Sequence, residues 1–239
     1  MKLTIALVIL SFTAGTADEI AFTSLGDVFT SAMSGNTVIL GLAIGLGHMD
    51  ELIHAGVAVL GYVSGVAIAS IWLPERTPII RMVALEAFLL LCFAIVWVAA
   101  GGPSSSAVVY ALIVLSAVPM GIQGAIGRTV GISGLLTVVF TSTYTAIVGE
   151  VVRCVRTKER PAWSVVSRQR VSALFAYLSG AVICGVIVSR WRMVAPLIPV
   201  VAISGLLVCL YFDKLYLGKL AQPVESTRRG SDVRVADRN

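Results

Sequence analysis

Charge is what this chain has least of. Of its 239 residues 13% are charged and 57% are hydrophobic, and the mean hydropathy is +0.93. That leaves too little polar surface to wrap a water-soluble globule of this length, so the chain is expected in a lipid bilayer. Histidine and cysteine are equally sparse. His48 and His54 have no Cys or carboxylate array around them, and Cys92, Cys154, Cys184 and Cys209 stand singly, without CxxC spacing. Those absences point away from a metal site or a disulfide framework, and no cofactor is expected. No nucleophile elbow, HExxH or paired-carboxylate pattern occurs, so no catalytic residue is assigned and the chain reads as a non-enzyme. The net charge of +5 does not point to nucleic acid. The basic residues lie between and after apolar runs, with no aromatic interleaving.

Eight apolar runs fill most of the chain: 3–25, 28–46, 52–73, 79–100, 107–126, 135–152, 171–188 and 193–212. Most approach the length needed to cross a bilayer. Leu73-Pro74-Glu75-Arg76, Gly101-Gly102-Pro103 with its serines, and the basic stretch around Pro161 punctuate them. Residues 220–239 lose the hydrophobicity and read as a disordered cytoplasmic tail. Lys2 followed by an apolar stretch and Ala14-Gly15-Thr16-Ala17 imitates a secretory signal. Cleavage there would destroy the first half of an internal repeat, which favours a membrane segment.

The repeat is the most informative feature. The stretch AGTADEIAFTSLGDVFTSAMSGNTVI from Ala14 lies over MGIQGAIGRTVGISGLLTVVFTSTYTAI from Met120. Gly15 falls on Gly121, Thr30 on Thr137, and Ser34-Gly35-Asn36-Thr37 on Thr141-Ser142-Thr143-Tyr144. In the same order, Gly61-Tyr62-Val63-Ser64-Gly65 matches Ala176-Tyr177-Leu178-Ser179-Gly180. Two collinear matches describe one unit used twice, with residues 1–101 as the first membrane repeat and 102–219 as the second. Duplicated units interrupted by Gly- and hydroxyl-rich segments at equivalent places are the sequence signature of a transport site.

Two topologies compete, and basic residues separate them. If all eight runs cross from a cytoplasmic N-terminus, 13 of the 18 Lys and Arg lie inside. If the second run of each repeat is re-entrant, 16 lie inside and only Arg190 and Arg192 remain outside. The positive-inside rule prefers the second arrangement. An odd number of crossings per unit also inverts the second copy. The expectation is therefore an all-α polytopic membrane protein with six transmembrane helices, two re-entrant or broken segments and an internal inverted repeat.

Irregular backbone at membrane depth must be satisfied by protein or by a water-filled cavity. The hydroxyl clusters suit that need. A half-helix starting at Gly35 would aim free N–H groups and the positive end of its dipole inward, and one starting near Thr141 would face it. Paired N-termini suit an anionic group. The candidate substrate-binding residues are therefore Ser34, Gly35, Asn36, Thr37, Gln123, Thr141, Ser142 and Thr143. The competing interpretation is that these small polar residues only pack helices.

Ionisable residues inside apolar runs are functional candidates by default. Asp18 interrupts the first run beside Glu19 and faces only Gln123 and Gly124 in the second copy, so it is the candidate for proton coupling. Alternatively, both acids cap a helix at the outer interface. Glu86 is expected to pair with Arg81 for structure. Arg128 is either an anion contact or a topology signal. Gly41, Gly45 and Gly47, and the GxxxG pair Gly61 and Gly65, sit inside membrane runs and read as close-packing positions.

With these residues in view, the stretches AGTADEI…LGDVFTSAMSGNTVILGLA and GIQGAIGR…GLLTVVFTSTYTA, with the two Y-x-SG segments, resemble the DUF1275 family, also called the YoaK family, of bacterial inner-membrane proteins. The resemblance covers nearly all of residues 3–212. Two departures stand in the second motif. Gln123-Gly124 replaces the family's Gln-Asn, and Thr141-Ser142 replaces its Thr-Gly, so a site built on that Asn or Gly would be altered here. The resemblance implies six spans and a protein of unassigned activity usually taken for a permease. The resulting expectation is a multi-pass protein of the bacterial cytoplasmic (inner) membrane whose partners are the lipid bilayer and a small polar or anionic solute. A homo-oligomer is left open, as are a non-transporting scaffold or regulatory protein, and a channel.

Overall fold

The computed structural model describes the backbone of residues 3–72, 79–129, 137–157 and 165–221, with side chains described for 4–72, 79–128, 143–157 and 167–212. Among the described residues all regular structure is helical: α1 Leu3–Ser24, α2 Met33–Leu46, α3 Met49–Trp72, α4 Ile79–Ala99, α5 Ser106–Thr129, α6 Thr137–Thr157, α7 Val165–Trp191 and α8 Leu197–Ala221. Each apolar run contributes one helix. This is the all-α polytopic architecture expected. The proposed disordered tail falls almost wholly outside the described residues.

Among the described residues, five helices are long and apolar enough to cross a membrane: α1, α3, α4, α5 and α7. The sixth expected span, α8, has a shorter described apolar part, Leu197–Phe212. The other two helices differ in kind. With its 14 residues, α2 is about 21 Å long at 1.5 Å per residue, short of the roughly 30 Å hydrocarbon core. In α6 the apolar run gives way to Glu150, Arg153 and Arg156. These are the second segments of the two repeats, the ones expected to be broken or re-entrant.

Contacts fix the helix directions. Thr4 meets Gln169, Gly15 meets Tyr177 and Glu19 meets Gly185, so α1 and α7 run parallel. Likewise His54 meets Tyr110, Gly61 meets Ala117 and Gly65 meets Ile122, so α3 and α5 run parallel. The start of α4, at Ile80 and Arg81, lies against the end of α8, at Tyr211 and Phe212. At the opposite end the Arg192 guanidinium lies 5.9 Å from the centre of the Trp97 ring. Those two helices are antiparallel. The short turns from α4 to α5 and from α7 to α8 reverse the chain. Hence α1, α4 and α7 point one way while α3, α5 and α8 point the other.

Packing pairs the two halves rather than neighbours in sequence. The most extensive contacts are α1 with α7 and α3 with α5, and α4 on α5 has its counterpart in α8 on α1. The two central helices are α1 and α5, each with 61% of its span buried, against 28% for α3 and 22% for α7. Lipid supplies no hydrophobic drive between helices, so close association depends on small residues that let backbones approach. A methyl group on Gly15 would overlap the Tyr177 carbonyl, and one on Gly180 the Phe12 carbonyl. On the other interface, Gly121 faces the Tyr62 carbonyl and Gly65 the Val118 carbonyl. The glycines that occupy matching places in the repeat therefore make matching contacts.

Those contacts are with backbone, which cannot swing aside as a side chain can. Gly15→Ala and Gly121→Ala are therefore expected to destabilise the detergent-purified protein by about 1–3 kcal/mol or more through overpacking. Gly41→Ala, where nothing lies within 4 Å, should be neutral or stabilise by up to about 1 kcal/mol. Thermal unfolding of the three variants checks this. Equal melting temperatures would remove the close-approach explanation.

Candidate functional site

Between α1 and α2 the chain is non-helical over residues 25–32. Gly26 at φ 94° and Asp27 at φ 57° turn it back, and the ring of His54 packs so closely on Gly26 that no side chain fits there. Residues 28–32 then return along the protein to the level of Asp18. A stretch like this has lost its helical hydrogen bonds, and its buried polar groups must find others.

Asp18 supplies them. Its side chain is 2% exposed. One carboxylate oxygen, Oδ1, accepts the backbone N–H groups of Thr30 and Ser31, both at 2.7 Å, and the Thr30 hydroxyl at 3.1 Å. The other, Oδ2, accepts the Ser31 hydroxyl and the Tyr177 hydroxyl from α7, both at 2.6 Å. Five donors converge on one carboxylate and join α1, the break and α7. Asn36 completes the arrangement. Its Oδ1 accepts the Phe29 N–H at 2.8 Å and its amide donates to the Phe29 carbonyl at 2.6 Å. Its second amide contact, 3.6 Å to the Met33 sulfur, is weak. Helix α2 then begins at Met33, close to the expected Gly35, with Ala32 offering no side-chain cap.

The candidate residues divide sharply in this geometry. Asn36 is fully buried and bonded to the break. Ser34 and Thr37 are exposed, and Thr37 bonds back to the Met33 carbonyl at 2.9 Å. At Gly35 a methyl group would press into the Phe29 ring at 2.7 Å, so its smallness serves packing. In the second half, Thr143 is 1% exposed and its hydroxyl has no partner among the described residues. The side chains of Thr141 and Ser142 and the segment 130–136 lie outside the described residues. Helix α2 does touch α6, so the two cluster-bearing helices meet. Gln123 faces α1 instead, donating to the Leu10 carbonyl at 2.8 Å while its own carbonyl oxygen is buried without a partner.

Three features lay beyond the sequence reading. Tyr177 was visible only as a matched letter in the repeat, with no sign that it binds Asp18. Asp18 caps a chain break deep inside, rather than a helix end at the interface. And the expected Glu86–Arg81 pair does not form. Arg81 is exposed, whereas Glu86 is fully buried with neither carboxyl oxygen bonded among the described residues. The two residues are five apart, which places them on different helix faces, whereas pairing favours spacings of three or four.

Replacing Asp18 tests the weight of the node. Removing a carboxylate that accepts two buried backbone N–H groups, at about 1.5–3 kcal/mol per charge-assisted bond, makes Asp18→Ala destabilising by at least about 3 kcal/mol. Tyr177→Phe, which loses one of five donors, should cost about 1–2 kcal/mol. Thermal melts of the purified variants measure both. Equal, small losses would mean that the break does not depend on the acid.

Comparison with known proteins agrees with this architecture. The model of the family described as "Protein of unknown function (DUF1275)" matches residues 6–210. The "UPF0700 transmembrane protein YoaK" of Bacillus subtilis (strain 168) is 31% identical over 210 residues, covering 84% of this chain and 91% of that relative. No solved structure matches the chain. A match over nearly the whole helical region, with a transmembrane relative that shares most of its length, places the chain in the DUF1275 family of multi-pass membrane proteins.

Proposed function

We propose that the chain is a permease of the bacterial cytoplasmic membrane that moves a small polar or anionic solute through a site between its two repeats. The observation that carries this reading is α2, a helix too short to span the bilayer, whose first turn lies beside a buried chain break. In membrane transporters, discontinuous helices aim the positive end of their dipole at a substrate. Support comes also from the helix directions. With α1 and α3 opposed, the chain leaves α1 and enters α3 on one side, as a re-entrant α2 requires. With α1 and α5 opposed, the second repeat is inverted relative to the first. Six spans, two re-entrant segments and an inverted repeat follow from that reading. Catalysis has no part in it, and self-association of the chain is compatible with it.

A second reading has its own observation. Asp18 and Asn36 are saturated by bonds inside the protein, as in a scaffold whose polar residues only pack helices. On that account Asp18 is a structural acid, and proton coupling through it requires the Tyr177 and Ser31 bonds to open. A channel is the third class, distinguished by flux that does not saturate.

Topology is tested by reporter fusions. Both termini, residues 75–81 and residues 153–170 are expected in the cytoplasm, with residues 101–106 in the periplasm, given the 16 to 2 division of basic residues. Fusions at 75 and 101 that report the same side would end the six-span arrangement.

Thr143 tests the site. Its hydroxyl is buried without a described partner, so Thr143→Val should leave the melting temperature unchanged or raise it slightly, because no hydrogen bond is lost. If α6 presents this hydroxyl to a solute, the variant should lose stabilisation that polar solutes confer on the native protein. Full retention of that response would place the hydroxyl outside the site and favour the scaffold.

A further inference from the structure

The two halves make the same backbone contact and then differ in charge. In the first, Gly15 lies under the Tyr177 carbonyl, and the Tyr177 hydroxyl reaches one turn further along α1, to Asp18. In the second, Gly121 lies under the Tyr62 carbonyl. One turn beyond Gly121 along α5 stands Gly124, with no side chain, and one turn beyond that stands Arg128. Helix α5 thus carries Gly121, Gly124 and Arg128 at spacings of three and four, on the face toward α3. No acid replaces Asp18.

The cation there is unmatched. Arg128 is exposed at the end of a span 23 residues long and forms no hydrogen bond or ion pair among the described residues, and neither does the Tyr62 hydroxyl. Tyr62, whose carbonyl Gly121 meets, stands within electrostatic reach of both Arg128 and Asp18. Side chains in helices favour the N-terminal direction, which for Arg128 is the direction of Gly124. Exposed at the end of its span, the guanidinium is open to water and to whatever anion the water carries.

We propose that Tyr62 and Arg128 bind the oxyanion of a small solute, a carboxylate or phosphate-type group, which completes the second node as the Asp18 carboxylate completes the first. The phenol hydroxyl donates one hydrogen bond and the guanidinium offers a planar fork matched to two oxygens. The inference rests on the permease reading and narrows its substrate class to anions. A lipid phosphate has the same chemistry, and the test separates the two sources.

The experiment is thermal unfolding of the full chain in a neutral detergent, titrated with inorganic phosphate, acetate or succinate, with glucose and urea as uncharged solutes, and separately with phosphatidylglycerol. The native protein should be stabilised by at least one soluble anion. Arg128→Gln should weaken the apparent affinity by about tenfold or more, Arg128→Lys should retain part of it, and Tyr62→Phe should weaken it less. Arg81→Gln, an exposed cation on α4, should respond like the native protein. An unchanged anion response in Arg128→Gln overturns the assignment. A response to glucose or urea alone overturns it while leaving the permease reading standing, and no response to any solute overturns both. Arg128-dependent stabilisation by phosphatidylglycerol without any by the soluble anions assigns the pair to a lipid headgroup and overturns the solute site.

Discussion

A stretch of backbone without helical hydrogen bonds cannot rest against lipid, and that constraint organises the first half of this protein. Residues 25–32 leave the helix, and their donors need acceptors inside the molecule. A single carboxylate meets the requirement at Thr30 and Ser31, and a single carboxamide does so at Phe29. A carboxylate offers about four acceptor positions in a small volume, which is why one acid can hold two backbone groups and three hydroxyls. The same node reaches Tyr177 on α7, so the position of the break is tied to the most extensive helix interface in the molecule.

That interface exists only because the side chains on it are small. Gly15 and Gly180 let α1 and α7 touch backbone to backbone, and Gly121 and Gly65 do the same for α5 and α3. Bringing α7 so close puts the Tyr177 hydroxyl within 2.6 Å of Asp18. Glycine packing and the buried acid are therefore one device. A larger residue at position 15 would move the phenol away from the carboxylate as well as separate the helices.

Much of this was legible beforehand, and the reasons are specific. Apolar runs of spanning length gave the helices because lipid admits few alternatives to helical backbone. The half-helix expected from Gly35 corresponds to α2, which begins at Met33, whereas the charges that end α6 were not expected. Gly15 and Asn36 stood out because the repeat aligned them. Contacts between distant parts of the chain were not legible. Asp18 and Tyr177 are 159 residues apart, and nothing local to either names the other. Nor was the orientation of Ser34 and Thr37 legible. Their residue types suggested a site, yet both side chains point out of the packed interior, because consecutive positions on a helix face different ways. Glu86 misled for the same reason, its spacing from Arg81 being close in sequence but wrong in phase.

The asymmetry between the halves is the deepest consequence of the duplication. Two identical copies of one unit would present two equal nodes. Here one copy holds an acid whose five donors satisfy it internally, and the other holds Gly124 and an arginine without a described partner. A closed, self-satisfied half can serve as a fixed frame, leaving the half with the unmatched cation as the one free to respond to a ligand. On this view Asp18 anchors a fixed frame, and Tyr62 and Arg128 stand on the half left free to respond.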